Sequence, residues 1–334
     1  MNTIDSIVPR QIWEAKQRIA SFVKKTPLIQ SKELSKLTNK NIYLKLETVN
    51  EVGAFKLRGA ANKILSLSKL EREKGVTTFS TGNHGLAVAY VANQLGIPAV
   101  ICVSNRVPEA KIDTLQKLGA ELNVVGESQD DAANHCKHLE QEYGMAIVPP
   151  FDDTDIIAGQ GTIGLELFED LPSIDQCVIP LSGGGLLSGI GIALKSVDPA
   201  IRVSGVSIEG ASAMSESLKK GYPVDVPEKE TLADSLLGGI GANNQYTLHL
   251  VKHLMDDLTL LSEDTIEEAM IYLLAEERLI VEGAAAVGVG AILEQKLQGL
   301  GNDVVLIISG NNGSISALKE SKFRGLEQKK GACM

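Results

Sequence analysis

Short runs of β-branched and aliphatic residues recur along this chain, each followed by a longer helical stretch, and that alternation admits few folds. A strand apolar on both faces needs cover on both faces, and parallel strands joined by helical crossovers supply it. Four such runs, at residues 76–79, 99–103, 121–125 and 146–148, are separated by helical stretches that include residues 109–118 and 129–143. They predict an α/β architecture with a compact open lobe over residues 75–148, nested in a larger lobe built from residues 1–74 and 149–334. Strands of the larger lobe are expected at 177–181, 203–208 and 304–308. A chain of 334 residues is long enough for two lobes. No repeat or low-complexity segment interrupts the pattern, and only residues 328–331 read as a frayed end.

Composition narrows the function classes. With 44% hydrophobic and 22% charged residues the chain is not disordered, and a net charge of -10 argues against a nucleic-acid or membrane-surface partner, either of which wants a basic face. A small-molecule enzyme is left as the default. Residues 1–5 lack the basic start of a signal peptide, and no run reaches the roughly 18 apolar residues of a membrane span, so a cytoplasmic protein is expected. Cys102, Cys136, Cys177 and Cys333 are scattered, and free thiols are the reading that fits.

Three segments carry chemistry. Lys56 lies in Gly53-Ala54-Phe55-Lys56-Leu57-Arg58-Gly59-Ala60, where desolvation between Phe55 and Leu57, with Arg58 nearby, pushes an amine toward the neutral form that condenses with a carbonyl. Ser80-Thr81-Gly82-Asn83-His84-Gly85 follows a strand and opens a helix, gathering N–H groups suited to a carboxylate. Ser182-Gly183-Gly184-Gly185 does the same after a second strand, and its glycines let a phosphate approach the backbone. The loop reads G-x-G-x-x-x-G, one residue away from the dinucleotide fingerprint, and no Gly-Lys-Ser/Thr follows, so a monophosphate suits it better; a turn that only packs tightly is the alternative. Two histidine pairs, His135/His138 and His249/His253, have spacings compatible with a metal, but neither carries the glutamate of H-E-x-x-H.

Together with Ser309-Gly310-Asn311-Asn312, these segments resemble the fold-type II pyridoxal-phosphate enzymes, whose tryptophan synthase β-like fold has two open parallel-sheet αβ lobes. Within that class the chain is similar to the threonine dehydratase and serine racemase branch, most of all to hydroxyectoine-utilisation dehydratases. The likeness is co-linear over nearly the whole chain and includes residues 232–241 and 281–286.

The resemblance implies that Lys56 holds pyridoxal 5'-phosphate and serves as base at the substrate α-carbon. It further implies that Asn83 meets the cofactor's phenolic oxygen, that Ser182, Gly183, Gly184, Gly185 and Leu186 hold its phosphate, and that Ser309 faces the ring nitrogen. Phe55, Gly239, Glu282 and Gly310 complete the implied cofactor site. Ser80, Thr81, Gly82, Asn83 and His84 would take the substrate carboxylate, with Thr81 also matching the serine that racemase relatives use as a second acid/base. Glu209 matches an acidic residue at which racemase relatives bind a divalent cation, magnesium or calcium, although the stretch on to Gly221 is shorter here. Ala54 departs from the serine common in threonine dehydratases. The implied activity is dehydration and deamination of serine, threonine or a hydroxyectoine-derived amino acid by a homodimer. A serine or hydroxyaspartate racemase and a non-catalytic phosphate-ligand-binding protein are the alternatives.

Overall fold

The structure is a computed structural model that describes residues 7–80, 82–105, 115–127 and 129–313. Thr81, Cys333, residues 328–331 and most of the helix expected at 109–118 lie outside the described residues.

Two sheets form. The smaller has the order β5-β4-β3-β6, from β3 (Val76–Thr78), β4 (Ala99–Val103), β5 (Glu121–Val124) and β6 (Ala146–Ile147), all parallel. The larger has the order β1-β2-β10-β7-β8-β9, from β1 (Leu28–Gln30), β2 (Asn41–Leu46), β7 (Gln176–Pro180), β8 (Arg202–Ile208), β9 (Asp257–Leu261) and β10 (Asp303–Ile308). Its strands are parallel except β1, which runs antiparallel along β2 with Leu28 opposite Lys45. The antiparallel edge and strands β1, β2 and β9 are absent from the pattern read along the sequence.

Helices cover both faces of each sheet, as buried parallel strands require. One side of the large sheet packs Ala284, Ala285, Val287 and Val289 of the helix Gly283–Leu293 against Val178, Val206 and Leu306. On the other side Ile163 and Leu167 of the helix Thr154–Asp170 and Ile190 and Leu194 of Gly185–Val197 pack against Cys177, Ile179 and Val203. On the small lobe, Leu57, Ala60 and Ile64 of the helix Lys56–Ser66 share a cluster with Val88 of the helix Asn83–Leu95 and with Val76 and Ile101 of the sheet, so the helix headed by Lys56 packs on that lobe through the helix Asn83–Leu95. It also lies hard against the helix Thr154–Asp170. A Cβ on Gly159 would come within 2.7 Å of the Gly59 Cα, a contact only two glycines allow. This close crossing sets Lys56 between the two sheets.

Beneath it sits a fully buried charge network. The Arg58 guanidinium takes Glu47 through Nε and Nη2 (2.7 and 2.8 Å) and Glu166 through Nη1 and Nη2 (2.7 and 2.9 Å). Lys45 Nζ donates to Glu166 (2.6 Å) and to the Thr26 carbonyl (2.7 Å). Two cations face two anions, so the cluster is neutral as a whole, and its planar fork-to-carboxylate pairs are the geometry that offsets desolvation.

Candidate active site

Five helices here close their first turn with the side chain of the residue before them. Ser31, Ser68, Asp153, Ser212 and Ser262 each accept a backbone N–H from the helix they precede. Four do not. The helices Lys56–Ser66, Asn83–Leu95, Gly185–Val197 and Gly283–Leu293 begin after Phe55, Gly82, Gly184 and Glu282 with no side-chain cap. Contacts among these residues tie the four starts into one place, beyond the carboxyl ends of β3, β7 and β10, where ligands bind in open αβ sheets.

Lys56 is fixed by the backbone ahead of it. Phe55 N–H donates to the Ser309 carbonyl and Asn311 N–H to the Gly53 carbonyl, both at 3.0 Å, so Gly53, Ala54 and Phe55 run antiparallel beside Ser309, Gly310 and Asn311. The Lys56 amine donates to the Pro150 carbonyl at 2.6 Å and lies 5.3 Å from the centre of the Phe55 ring. Burial lowers its pKa from 10.5 to about 8, with the Glu282 carboxylate opposing. Arg58 is not among the causes, contrary to the expectation from sequence, because Glu47 and Glu166 neutralise it.

Asn83 and Glu282 meet directly. Asn83 Nδ2 lies 2.9 and 3.0 Å from the two Glu282 oxygens, and Asn83 Oδ1 accepts from Asn312 Nδ2 at 2.7 Å. Burial raises the Glu282 pKa, Asp234 adds to the rise, and the Asn83 amide opposes it. His84 is 2% exposed, with Nε2 2.9 Å from the Val148 carbonyl, an atom that only accepts. The ring therefore carries its proton on Nε2, and Nδ1 is buried without a partner among the described residues. Burial, then the charge of Lys56, lower its pKa to about 3. A neutral ring so engaged offers a carboxylate nothing, which leaves the backbone N–H of His84 for that purpose.

The glycine loop is cut to fit. A Cβ on Gly183 would lie 2.3 Å from the Phe151 ring, and Gly184 sits at φ +88, where a side chain is strained. Gly183, Gly184, Gly185 and Leu186 are buried, and among the described residues no side chain caps the helix that this turn opens, which leaves its first N–H groups for a ligand to satisfy. Ser182 is half-buried at its mouth. Because Pro150 accepts from Lys56 while its neighbour Phe151 packs on Gly183, amine and loop flank a single short segment. Asp152, next in that segment, accepts the N–H groups of Gln245, Tyr246 and Thr247 (2.6–2.9 Å) and so anchors it to the helix Thr247–Leu254.

Ser309 is 2% exposed at the end of β10, and Gly310 accepts the Glu282 N–H at 3.1 Å. A Cβ on Gly310 would touch the Glu282 carboxylate at 3.0 Å. Ser80 and Gly82 stand on either side of Thr81 in the chain, and a Cβ on Gly85 would collide with the Ser80 carbonyl at 1.9 Å. Gly239 stands apart: it is exposed, and an added Cβ there would first meet Asp225. The cation suggested for Glu209 is not supported. Glu209 is exposed, 3.5 Å from Lys296, and among the described residues no group of three or more His, Cys, Asp or Glu side chains is placed to hold a metal. Pro150 and Phe151 are site residues that the sequence reading passes over, and Asn312 is one that it names within a motif but gives no role.

A buried amine of lowered pKa, a buried helix start without a side-chain cap in a cradle that a Cβ would fill, and the Asn83 amide nearby fit a small aromatic aldehyde carrying one phosphate. Comparisons with known proteins agree. Residues 19–310 match the family described as pyridoxal-phosphate dependent enzyme. The chain is 39% identical over 320 residues to the L-threonine ammonia-lyase of Thermotoga maritima, covering 96% of this chain and 79% of that protein. It is 40% identical over 319 residues to a catabolic L-threonine dehydratase of Staphylococcus aureus, covering 94% and 92%. Among solved structures, maize serine racemase superposes with a TM-score of 0.88 at 32% identity, over 97% of this chain and 99% of that one.

Proposed function

This chain belongs to the pyridoxal-phosphate dependent enzymes, and we propose that within them it is an ammonia-lyase that dehydrates a β-hydroxy-α-amino acid to a 2-oxo acid and ammonia. The observation that carries the reading is the segment Pro150–Phe151, which brings the desolvated Lys56 amine and the uncapped glycine loop side by side. The chemistry pyridoxal phosphate supplies when bound is an electron sink for charge developing at the substrate α-carbon.

The chain's own groups do the rest. The Lys56 amine, neutral above about pH 8, holds the cofactor and, once released, takes the α-proton. N–H groups of Gly183, Gly184, Gly185 and Leu186 meet the phosphate at a helix start, where the dipole favours negative charge. Backbone donors at Gly82, Asn83 and His84, with the Ser80 hydroxyl, take the substrate carboxylate. A serine hydroxyl at 309, unlike a carboxylate, does not enforce protonation of a ring nitrogen, which weakens the electron sink and favours prompt loss of water from the β-carbon.

For the side chain, threonine or serine is the reading that the relatives support, and a hydroxyectoine-derived amino acid is the narrower one that the motif resemblance supports. Hydroxyaspartate suits the site less well, because at residues 130–132, where relatives that handle it place an arginine, this chain has Asp130, Asp131 and buried Ala132, and Asp131 already accepts the Glu127 N–H. The likeness to maize serine racemase favours racemisation as a second reading. It requires an acid/base on the face opposite Lys56, for which Thr81 is the candidate, and a β-branched hydroxyl is restricted in its rotamers. The test is 2-oxo acid release from L-threonine, L-serine, hydroxyaspartate and a hydroxyectoine-derived amino acid, run beside chiral chromatography. Release of 2-oxo acid exceeding formation of D-amino acid supports the proposal; D-serine accumulating faster than pyruvate overturns it.

A further inference from the structure

Three side chains that approach from distant parts of the chain form one directed hydrogen-bond chain. Asn312 Nδ2 donates to the Val52 carbonyl and to Asn83 Oδ1, each at 2.7 Å, and Asn83 Nδ2 donates to Glu282 at 2.9 and 3.0 Å. Its direction is set at one end by chemistry. A backbone carbonyl only accepts, so the Asn312 amide must present its nitrogen to Val52, and the same nitrogen then faces Asn83. Asn83 answers with its oxygen and turns its nitrogen to the carboxylate. The reversed amide would set oxygen against carboxylate and nitrogen against nitrogen, two repulsive contacts in place of two bonds.

The geometry at Glu282 leaves one hydrogen over. Two oxygens of a single carboxylate subtend roughly 45° at a nitrogen about 3 Å from each, whereas the two N–H bonds of an amide diverge by about 120°. One N–H, shared between the two oxygens, satisfies both distances, and the other points elsewhere. Asn83 heads the uncapped helix Asn83–Leu95, and its partner Glu282 is the charge acting on the Lys56 amine, so the second N–H is left over at the helix start that the site gathers beside that amine.

We propose that Glu282 and Asn312 are positioning residues that lock the Asn83 amide with one N–H free for the cofactor, acting on the reaction through Asn83. The proposal rests on the cofactor site assigned above. It also gives Glu282 a defined task, since a carboxylate 3% exposed is costly unless its bonds set something in place.

The experiment compares holoenzyme of Asn83→Ala, Glu282→Gln, Asn312→Ala and the Asn83→Ala/Glu282→Gln double variant. Two quantities are read: the ratio of the visible to the near-ultraviolet absorbance of bound pyridoxal phosphate, and its dissociation constant by equilibrium dialysis. Asn83→Ala is expected to shift the ratio and weaken binding about tenfold, the worth of one hydrogen bond. Glu282→Gln and Asn312→Ala should shift the ratio in the same direction, and Glu282→Gln should add less than about twofold once Asn83 is gone. A purely structural role would leave the ratio unmoved. If Asn83→Ala shifts the ratio while Glu282→Gln and Asn312→Ala do not, or if Glu282→Gln keeps its full effect without Asn83, the proposal is overturned and the cofactor site stands. A silent Asn83→Ala removes the Asn83 assignment and the proposal with it. Should Glu282→Gln fail to fold, the exposed Asn312 decides alone, because its truncation leaves the core untouched.

Discussion

The amine of Lys56 and the carbonyl oxygen of Pro150 lie 2.6 Å apart, joining residues 94 positions distant in the chain. A carbonyl cannot donate, so the amine gives Pro150 a hydrogen in both protonation states, and the lone pair of its neutral form is turned away from that oxygen.

That arrangement predicts how the amine titrates. With a pKa of about 8 in place of 10.5, roughly a tenth of Lys56 is neutral at pH 7. Capture of pyridoxal phosphate by cofactor-free protein, followed by borohydride trapping, should quicken about tenfold per pH unit up to pH 8 and then level. The stability sign is the reverse of a salt-bridged lysine: between pH 8 and 10.5 the unfolded chain binds the extra proton, so the cofactor-free fold gains stability as pH rises through that window. Lys56→Ala should abolish trapping and lower turnover by about 10³-fold or more. A capture rate that climbs unchanged to pH 10 would refute the shifted amine.

The glycine loop gives a steric prediction. Gly183→Ala puts a methyl 2.3 Å from the Phe151 ring, and that ring is held between Pro150, bonded to Lys56, and Asp152, bonded to three N–H groups. The loop rather than the ring must yield, so pyridoxal phosphate affinity should drop at least about tenfold while the urea midpoint changes little. Adding Phe151→Ala should restore part of the affinity. Unaltered binding by Gly183→Ala would place the phosphate elsewhere.

What could be read beforehand follows from where local chemistry decides. Strands β4, β7, β8 and β10 announce themselves because buried parallel strands are apolar on both faces. Strand β2 hides, since Lys45 and the adjoining Glu47 look like solvated charges and only the approach of Arg58 and Glu166, from other parts of the chain, makes them core residues. Lys56 and the Gly183 loop are legible because a reactive amine and a close backbone approach demand particular residue types. Pro150 is not, because any residue has a carbonyl, and neither is Asn312, whose task is defined only by Val52 and Asn83. Glu209 shows the converse: the resemblance marks it, but its surroundings supply a lysine instead of further oxygen ligands.

The buried network should dominate stability. Burial pushes the Glu166 carboxyl up, but Arg58 and Lys45 outweigh it and hold the pKa below the ordinary value. Its contribution is thus present above the unfolded-state pKa and is lost as pH falls through the folded one. Arg58→Met strands Glu47 and Glu166 in the core with Lys45 alone, at a cost of about 3–5 kcal/mol in urea unfolding. Arg58→Lys should lie between, because an ammonium cannot span two carboxylates with a planar fork. A loss below about 1 kcal/mol for Arg58→Met would mean the cluster is not a closed charge pair.

His84 predicts a separate acid limb. Its folded pKa is about 3, set first by burial and then by Lys56, against 6.5 for the free side chain. Between those values the unfolded chain binds a proton that the folded chain refuses, so stability declines as pH falls from 6.5, by up to about 1.4 kcal/mol per unit. The Glu166 carboxyl, held below its ordinary value by Arg58 and Lys45, begins to titrate only lower, so the decline just below pH 6.5 is where His84 is tested against that network. His84→Gln keeps a donor for the Val148 carbonyl and removes the titrating ring. It should leave urea stability near pH 7.5 within about 1 kcal/mol of the parent, the worth of a hydrogen bond largely retained, while flattening the decline below pH 6.5. A decline of equal slope in both proteins would show that the His84 ring accepts a proton in the folded state, and the hydrogen bond to Val148 would then not hold it neutral.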